Sequence, residues 1–151
     1  MFVKPKMLAT SVLALSLATT TAWAEDIKMG AIAVLEGAFA VLGEDSMRGV
    51  EMALEEFGYS AGGKSIELIK QSSDASPDRA VRGARKLADQ DGVQILVGPL
   101  SGSDGTAITY YSNTQPDVTF VNGSPRSQEP PLREPPVNFS RFIPQGPRLK
   151  P

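Results

Sequence analysis

A short run of glycine and serine residues offers the clearest chemistry in this sequence. Gly98-Pro99-Leu100-Ser101-Gly102-Ser103 follows an apolar segment and precedes a predicted helix. The first N–H groups of a helix have no partner within it, so they and nearby hydroxyls converge on anions. We therefore expect Ser101, Gly102 and Ser103 to hold a carboxylate. The simpler alternative is that Ser101 or Ser103 only caps the helix, and capping does not exclude binding.

Two carboxylates, Glu36 and Asp74, lie on loops that follow predicted strands. They could recognise an ammonium group, or act as acid and base in an exported α/β hydrolase-like enzyme. Nothing in the sequence positions them as a pair, and solvated loop carboxylates are the simpler interpretation. An exported hydrolase-like enzyme is therefore our second hypothesis, and we expect that the chain is not an enzyme.

Two apparent motifs do not fit their context. Residues 58–65, GYSAGGKS, satisfy the phosphate-loop pattern, but they follow a predicted helix and open a strand, which is the reverse of the required order. Residues 58–62 satisfy the GxSxG elbow in the same turn. The chain has no His and no Cys. Thiol nucleophiles, Ser-His-Asp triads and the usual zinc sites are thereby excluded, and no cofactor or metal is expected.

The elements that would position these residues alternate between strands and helices. Strands are predicted at 27–34, 65–70, 93–97 and 118–121. Helices are predicted at about 43–57, from Ser76-Pro77 onward, and at 103 to about 113. Val50, Ala53, Leu54 and Phe57 mark the apolar side of the first helix, and Val81, Ala84, Leu87 and Ala88 that of the second. This order predicts an α/β fold, an open parallel sheet with helices on both faces. Ligands of such sheets bind at the carboxyl ends of the strands.

The chain divides into three segments by composition. Residues 1–24 resemble a cleavable signal peptide, with Lys4 and Lys6, an apolar stretch and an expected cleavage after Ala24. Residues 25–124 form the predicted lobe, and residues 125–151 hold eight of the twelve prolines and are expected to be an irregular tail. Residues 25–151 carry a net charge of −4, since only Lys4 and Lys6 are charged before them. Nucleic-acid binding is therefore not expected.

Four stretches resemble the leucine/isoleucine/valine-type solute-binding proteins of ABC importers. They are VLEGAFAVLGEDSMRGVEMALEE at 34–56, SIELIKQSSDASPDRAVRGARKLADQDGV at 65–93, ILVGPLSGSDG at 95–105 and TFVNGS at 119–124. The resemblance implies a periplasmic, two-lobed receptor that closes on an amino acid or related carboxylate without chemistry, and ABC permease subunits as partners. The implied fold is that of a type I periplasmic binding protein, and the resemblance covers part of its first lobe. The second lobe is expected to be missing, and helix-packing faces of the first lobe to be uncovered.

The same resemblance assigns roles to further residues. It implies that Asn122, Gly123 and Ser124 donate hydrogen bonds to the polar end of the ligand, with a simple turn as the alternative. It places Leu42 against the ligand side chain, with Phe39 nearby, although either could be a core residue. The sequence departs from the family pattern at Glu36 and after Ser124. The change after Ser124 makes the product of a frameshifted receptor gene a third hypothesis. Because the second lobe is expected to be missing, we expect weak or no binding by this chain.

Overall fold

The computed structural model describes residues 26–99, 101–123 and 136–142. The strands are β1 (Ile27–Val34), β2 (Ser60–Ala61), β3 (Lys64–Ser73), β4 (Ile95–Val97), β5 (Thr119–Asn122) and β6 (Phe139–Arg141). The helices are α1 (Ala40–Glu56), α2 (Pro77–Arg85) and α3 (Gly102–Ser112), with a 3-10 turn at Gly37–Phe39 and a π-helical turn at Lys86–Gln90. The predicted signal peptide and its cleavage site at Ala24 lie outside the described residues.

The strands form one sheet in the order β2-β3-β1-β4-β5-β6. Only the β2–β3 pair is antiparallel, and the other pairs are parallel. β1 is central because its apolar residues can be covered on both faces, and its last four residues, Ala31 to Val34, are buried. β3 pairs with β1 along its whole length, from Ile27↔Ile66 to Val34↔Ser73. The predicted open parallel α/β sheet is confirmed.

Helices cover both faces of the sheet, but unequally. α2 and α3 pack on one face, where the larger core cluster includes Ile32, Ala80, Ala84, Leu87, Leu96, Ile108, Tyr111 and Phe120. α1 packs on the other face, where Met47 and the partly buried Val50 cover Ala31 and Ala33 of β1. In the described part of the chain, no helix is both long and apolar enough to cross a membrane.

The apolar side of α1 differs from the predicted one. Gly43, Met47 and Leu54 are the buried residues of this helix, whereas Ala53 is exposed and Phe57 is 70% exposed just beyond its end. The prediction was wrong for these two residues because the buried side runs through Gly43, Met47, Val50 and Leu54, and Gly43 has no apolar side chain to mark it. The helix also begins three residues before its predicted start. The stripe predicted for α2 is confirmed, since Ala84 and Leu87 are fully buried and Val81 and Ala88 pack against the same cluster.

Other boundaries shift for identifiable reasons. β3 continues to Ser73, three residues past its prediction, because Gln71 to Ser73 keep pairing with the end of β1. β4 begins at Ile95 instead of Val93. Val93 is still buried, but its N–H donates to the Leu87 carbonyl in the turn that follows α2. These shifts lengthen one strand and shorten another without changing the topology.

A sixth strand lies within the segment that we expected to be irregular. Phe139 of β6 stacks on Phe120 of β5 at 6.5 Å between ring centroids. Asn138 anchors this strand, since its Nδ2 atom lies 2.7 to 3.2 Å from the carbonyl oxygens of Ser112, Gln115 and Val118. The tail prediction therefore missed the ordered residues at 139–141, and the remainder of the tail lies outside the described residues.

Candidate functional site

The start of α3 lies at the carboxyl edge of the parallel strands, as the sequence predicted. Ser101 is the N-cap, and its Oγ accepts a hydrogen bond of 3.1 Å from the Asp104 N–H. The Ser101 and Ser103 Oγ atoms are 3.1 Å apart. Among the described residues, none accepts a hydrogen bond from the N–H of Gly102 or Ser103. Capping by Ser101 is thus observed, and two N–H groups remain beside it for an anion at the positive end of the helix.

Gly98 fixes the path of the loop that leads into α3. Its φ is +115°, and a Cβ atom at this position would lie 2.2 Å from the Ile32 carbonyl oxygen. Its N–H donates to the Val121 carbonyl at 3.0 Å. The Gly98–Pro99 peptide bond is cis, and Pro99 is buried. Only glycine fits this close approach, so Gly98 sets how near the segment after β4 lies to β1.

A buried carboxylate lies in the first turn of α3, and sequence reasoning did not identify it. Asp104 is fully buried, as is Ser73 at the end of β3. The Ser73 hydroxyl donates to Asp104 Oδ2 at 2.8 Å and accepts the Ala75 N–H at 3.1 Å. The capping spacing S-x-x-D from Ser101 to Asp104 was the available signal. No sequence signal indicated Ser73 as its partner.

The two carboxylates singled out from the sequence already have protein partners. Glu36 Oε1 accepts hydrogen bonds from Arg79 at 2.6 Å and from Ser72 at 3.1 Å. Asp74 Oδ1 accepts the hydroxyl of Ser76 at 2.5 Å and its N–H at 3.0 Å. The Ser76 hydroxyl bond is the main cause that lowers the pKa of Asp74. Arg79 bonds to Glu36, and its charge also acts on Asp74. No hydrogen bond joins the two carboxylates among the described residues, so no shared proton links them as an acid and base pair.

The turn after β5 is divided between buried and exposed residues. Asn122 is fully buried, and neither of its side-chain amide atoms has a hydrogen-bond partner within the described residues. Gly123 is exposed, and Ser124 lies outside the described residues. The Asn122 side chain therefore does not reach an open surface in this structure. A contact between this turn and a ligand stays a prediction.

Apolar side chains at the start of α1 remain open to solvent. Leu42 is 53% exposed and Phe39 54% exposed, so neither is a core residue. Both follow β1 at the carboxyl edge of the sheet. This position is compatible with contact to an apolar part of a ligand, which stays a prediction.

A cleft of about 200 Å³ opens beside α1. Its wall is mainly apolar and includes Ala31, Ala33, Met47, Val50 and Val97, and Gly98, Pro99 and Gly123 form its end at the carboxyl edge. α1 packs on β1, and none of the other described helices covers this face over β4 and β5. The sequence analysis expected an uncovered helix-packing face of this kind.

The rejected phosphate-loop pattern lies at the opposite end of β3. Residues 58–65 form the β2–β3 hairpin, in which Gly62 and Gly63 have φ values of +59° and +79°. The turn follows α1 and opens a strand, as its sequence context indicated. Within the described residues, no group of three or more potential metal-ligating side chains occurs.

The chain is similar in sequence to periplasmic binding proteins. The family model described as "Periplasmic binding protein" matches residues 26–143, so the match continues past Ser124, where we expected the pattern to end. The Leu/Ile/Val-binding protein homolog 8 of Brucella abortus is 34% identical over 100 residues, covering 66% of this chain and 25% of the relative. The chain thus spans about a quarter of the length of this curated relative.

Two solved structures have a similar fold. A branched-chain amino acid transporter substrate binding protein from Streptococcus pneumoniae, in complex with isoleucine, gives a TM-score of 0.70 at 20% identity. The match covers 80% of this chain and 34% of that one. A solute binding protein of an ABC transporter from R. palustris, in complex with 4-hydroxybenzoate, also gives a TM-score of 0.70 at 20% identity. There the match covers 78% of this chain and 31% of the other.

Proposed function

We propose that this chain, which belongs to the periplasmic binding protein family, forms one wall of a ligand cleft. The corresponding whole protein would be the extracytoplasmic solute-binding component of an ABC importer. Its partners would be a small carboxylate ligand and the ABC permease subunits. Export through residues 1–24, with cleavage after Ala24, belongs to this proposal and is tested by N-terminal sequencing of the periplasmic product.

The start of α3 is the observation that supports this proposal most strongly. The N–H groups of Gly102 and Ser103 have no described acceptor, and they lie at the positive end of an 11-residue helix. The Ser101 Oγ accepts the Asp104 N–H and lies 3.1 Å from the Ser103 Oγ. One of these two hydroxyls can donate to the other, which leaves one hydroxyl hydrogen for a ligand. These donors suit a carboxylate, because the bound anion would replace water as their hydrogen-bond acceptor.

The proposed ligand has an apolar body beside its carboxylate. Isoleucine and 4-hydroxybenzoate, the ligands named for the two similar structures, both have this character. In this chain Phe39 and Leu42 present exposed apolar surface at the same edge of the sheet as α3. We propose that Leu42 contacts the ligand body, and that Gly123 and Ser124 add hydrogen bonds at its polar end.

A single wall should bind such a ligand weakly. Well-formed pockets bury about 70 to 90% of a ligand surface, whereas the described residues offer one side only. We therefore expect a dissociation constant weaker than about 1 mM, which corresponds to roughly 4 kcal/mol of binding free energy. Equilibrium dialysis of residues 25–151 against labelled L-leucine and benzoate measures it. Saturation well below that concentration would show that the chain binds without a second wall.

The same samples separate a binding protein from an enzyme. A receptor returns its ligand unchanged, so prolonged incubation followed by mass spectrometry should recover L-leucine and benzoate intact. A broad screen of ester and amide substrates should likewise show no turnover above the buffer rate. Any hydrolysis that disappears in the Glu36→Gln variant would instead support the exported enzyme.

A further inference from the structure

We infer that Ser73 and Asp104 form a positioning pair that fixes the start of α3, and with it the Gly102 and Ser103 N–H groups at the carboxyl edge of the sheet. The inference rests on the proposed carboxylate site. Neither side chain would touch the ligand, since both are fully buried. Their role would be to connect the loop after β3 to the loop after β4.

The connection is a continuous series of hydrogen bonds. The Ala75 N–H donates to Ser73 Oγ at 3.1 Å, and the Ser73 hydroxyl donates to Asp104 Oδ2 at 2.8 Å. The Asp104 N–H then donates to Ser101 Oγ at 3.1 Å. The Ser73 hydroxyl donates its one hydrogen to Asp104 and accepts the Ala75 N–H. The Ser73 Oγ therefore connects the loop after β3 to the first turn of α3.

Backbone conformation supports the same role. Ala75 has a φ of +66°, a left-handed conformation that is unfavourable for a residue with a side chain. The hydrogen bond from its N–H to Ser73 Oγ helps to hold it there. A change at Ser73 would therefore release the loop after β3 as well as the start of α3.

The cost of burying Asp104 argues that it has a specific role. A buried carboxylate is costly unless hydrogen bonds and nearby positive charge compensate it. Here Ser73 donates one bond, and the N-terminal end of α3 contributes its dipole. Asp104 Oδ1 has no hydrogen-bond partner in the described part of the chain. An apolar residue of similar size would avoid this cost but could not accept the Ser73 hydroxyl.

A matched pair of substitutions tests the inference. Ser73→Ala and Ser112→Ala each remove one fully buried hydroxyl. Among the described residues, the Ser112 hydroxyl bonds only to the Thr109 carbonyl within α3, at 2.8 Å. Amide hydrogen exchange is measured for Asp104 and Gly105, whose N–H groups both bond to Ser101. The Val93 amide, which bonds to the Leu87 carbonyl beyond the C-terminal end of α2, serves as the reference amide.

Ser73→Ala should speed exchange at Asp104 and Gly105 by about tenfold relative to Val93, because the start of α3 opens locally. Ser112→Ala should leave the ratio of these exchange rates to that of Val93 unchanged. This should hold even if Ser112→Ala lowers the unfolding free energy as much as Ser73→Ala does. Equal ratios in the two variants would overturn the inference. If Ser73→Ala does not fold, Asp104→Asn replaces it as the test. The uncharged amide oxygen accepts a weaker hydrogen bond from Ser73, so the exchange-rate ratio should be higher than in Ser112→Ala.

A ligand titration keeps this inference separate from the proposed function. With L-leucine, the amide chemical shifts of Gly102 and Ser103 should move less in Ser73→Ala than in Ser112→Ala. An exchange difference without any response to L-leucine in the unmodified chain would refute the carboxylate site, and with it a positioning role in binding. A response to L-leucine that is identical in both variants would refute only the positioning role.

Discussion

Replacing glycines at two positions of α1 should have opposite effects on stability. A Cβ atom at Gly43 would lie 1.7 Å from the carbonyl oxygen of Val34, whereas one at Gly49 meets nothing within 4 Å. Real Cβ contacts essentially never fall below 3.0 Å. Since Val34 belongs to the central strand and cannot yield, Gly43→Ala must push α1 away from the sheet by roughly 1.3 Å or more.

The loss of unfolding free energy follows from the α1 contacts that such a movement would weaken. Met47 is 6% exposed and packs on Ala31 and Ala33, and a gap of 0.5 to 1 Å forfeits about a quarter to a half of each contact. We expect Gly43→Ala to cost about 3 kcal/mol, the upper range for overpacked sites. Gly49→Ala should gain about 0.5 to 1 kcal/mol, because alanine favours the helix over glycine.

Thermal unfolding followed by circular dichroism measures both variants against the unmodified chain. Thermal midpoints should fall by roughly 12 °C for Gly43→Ala and rise by about 2 to 4 °C for Gly49→Ala, at about 4 °C per kcal/mol for a domain of this size. Equal midpoints for the two variants would refute the close approach between α1 and β1.

Three further predictions concern single residues. Burial, with a smaller contribution from the Asp89 carboxylate, raises the pKa of Tyr111 to about 12. The contribution of Tyr111 to the unfolding free energy should therefore be complete below about pH 10 and be lost as the pH rises towards 12, as urea titrations would show. Tyrosinate absorbance in which all three tyrosines titrate with a midpoint near pH 10 would contradict it. Ser101→Ala should cost about 1 kcal/mol through loss of the N-cap, and no change in the urea midpoint would argue against the cap. Asn138→Ala should cost about 1 to 3 kcal/mol, because the two N–H groups of its amide no longer donate to the carbonyl oxygens around them, at roughly 0.5 to 1.5 kcal/mol each. Asn113→Ala removes an exposed amide and is the control. It should change the urea midpoint little, and equal losses would contradict the anchoring role of Asn138.

Sequence patterns predicted the topology because they depend on local chemistry. The continuous apolar run of β1 indicates a strand buried on both faces, and Ser76-Pro77 marks the start of α2. The glycine and serine residues before α3 likewise predicted both a helix start and an anion site. The structure confirms the helix start and its cap at Ser101.

Features that depend on distant partners were not predictable in this way. Asp104 is 31 positions from Ser73, and Glu36 is 43 positions from Arg79. No local pattern indicates that these side chains meet. β6 was missed because its anchor, Asn138, acts through carbonyl groups at the end of α3, while the surrounding prolines dominated the composition. The rotation of α1 depended on Gly43, whose lack of a side chain hides its burial.

The central claim is that the start of α3 binds a carboxylate. It is tested most directly by titrating isotopically labelled residues 25–151 with L-leucine and, separately, with L-leucinamide, which lacks the carboxylate. Backbone amide chemical shifts are followed up to roughly 50 mM, because binding is expected to be weaker than about 1 mM. The amides of Gly102 and Ser103 should shift with L-leucine and not with L-leucinamide. Equal shifts with both compounds, or none at these two residues, would contradict the proposed site.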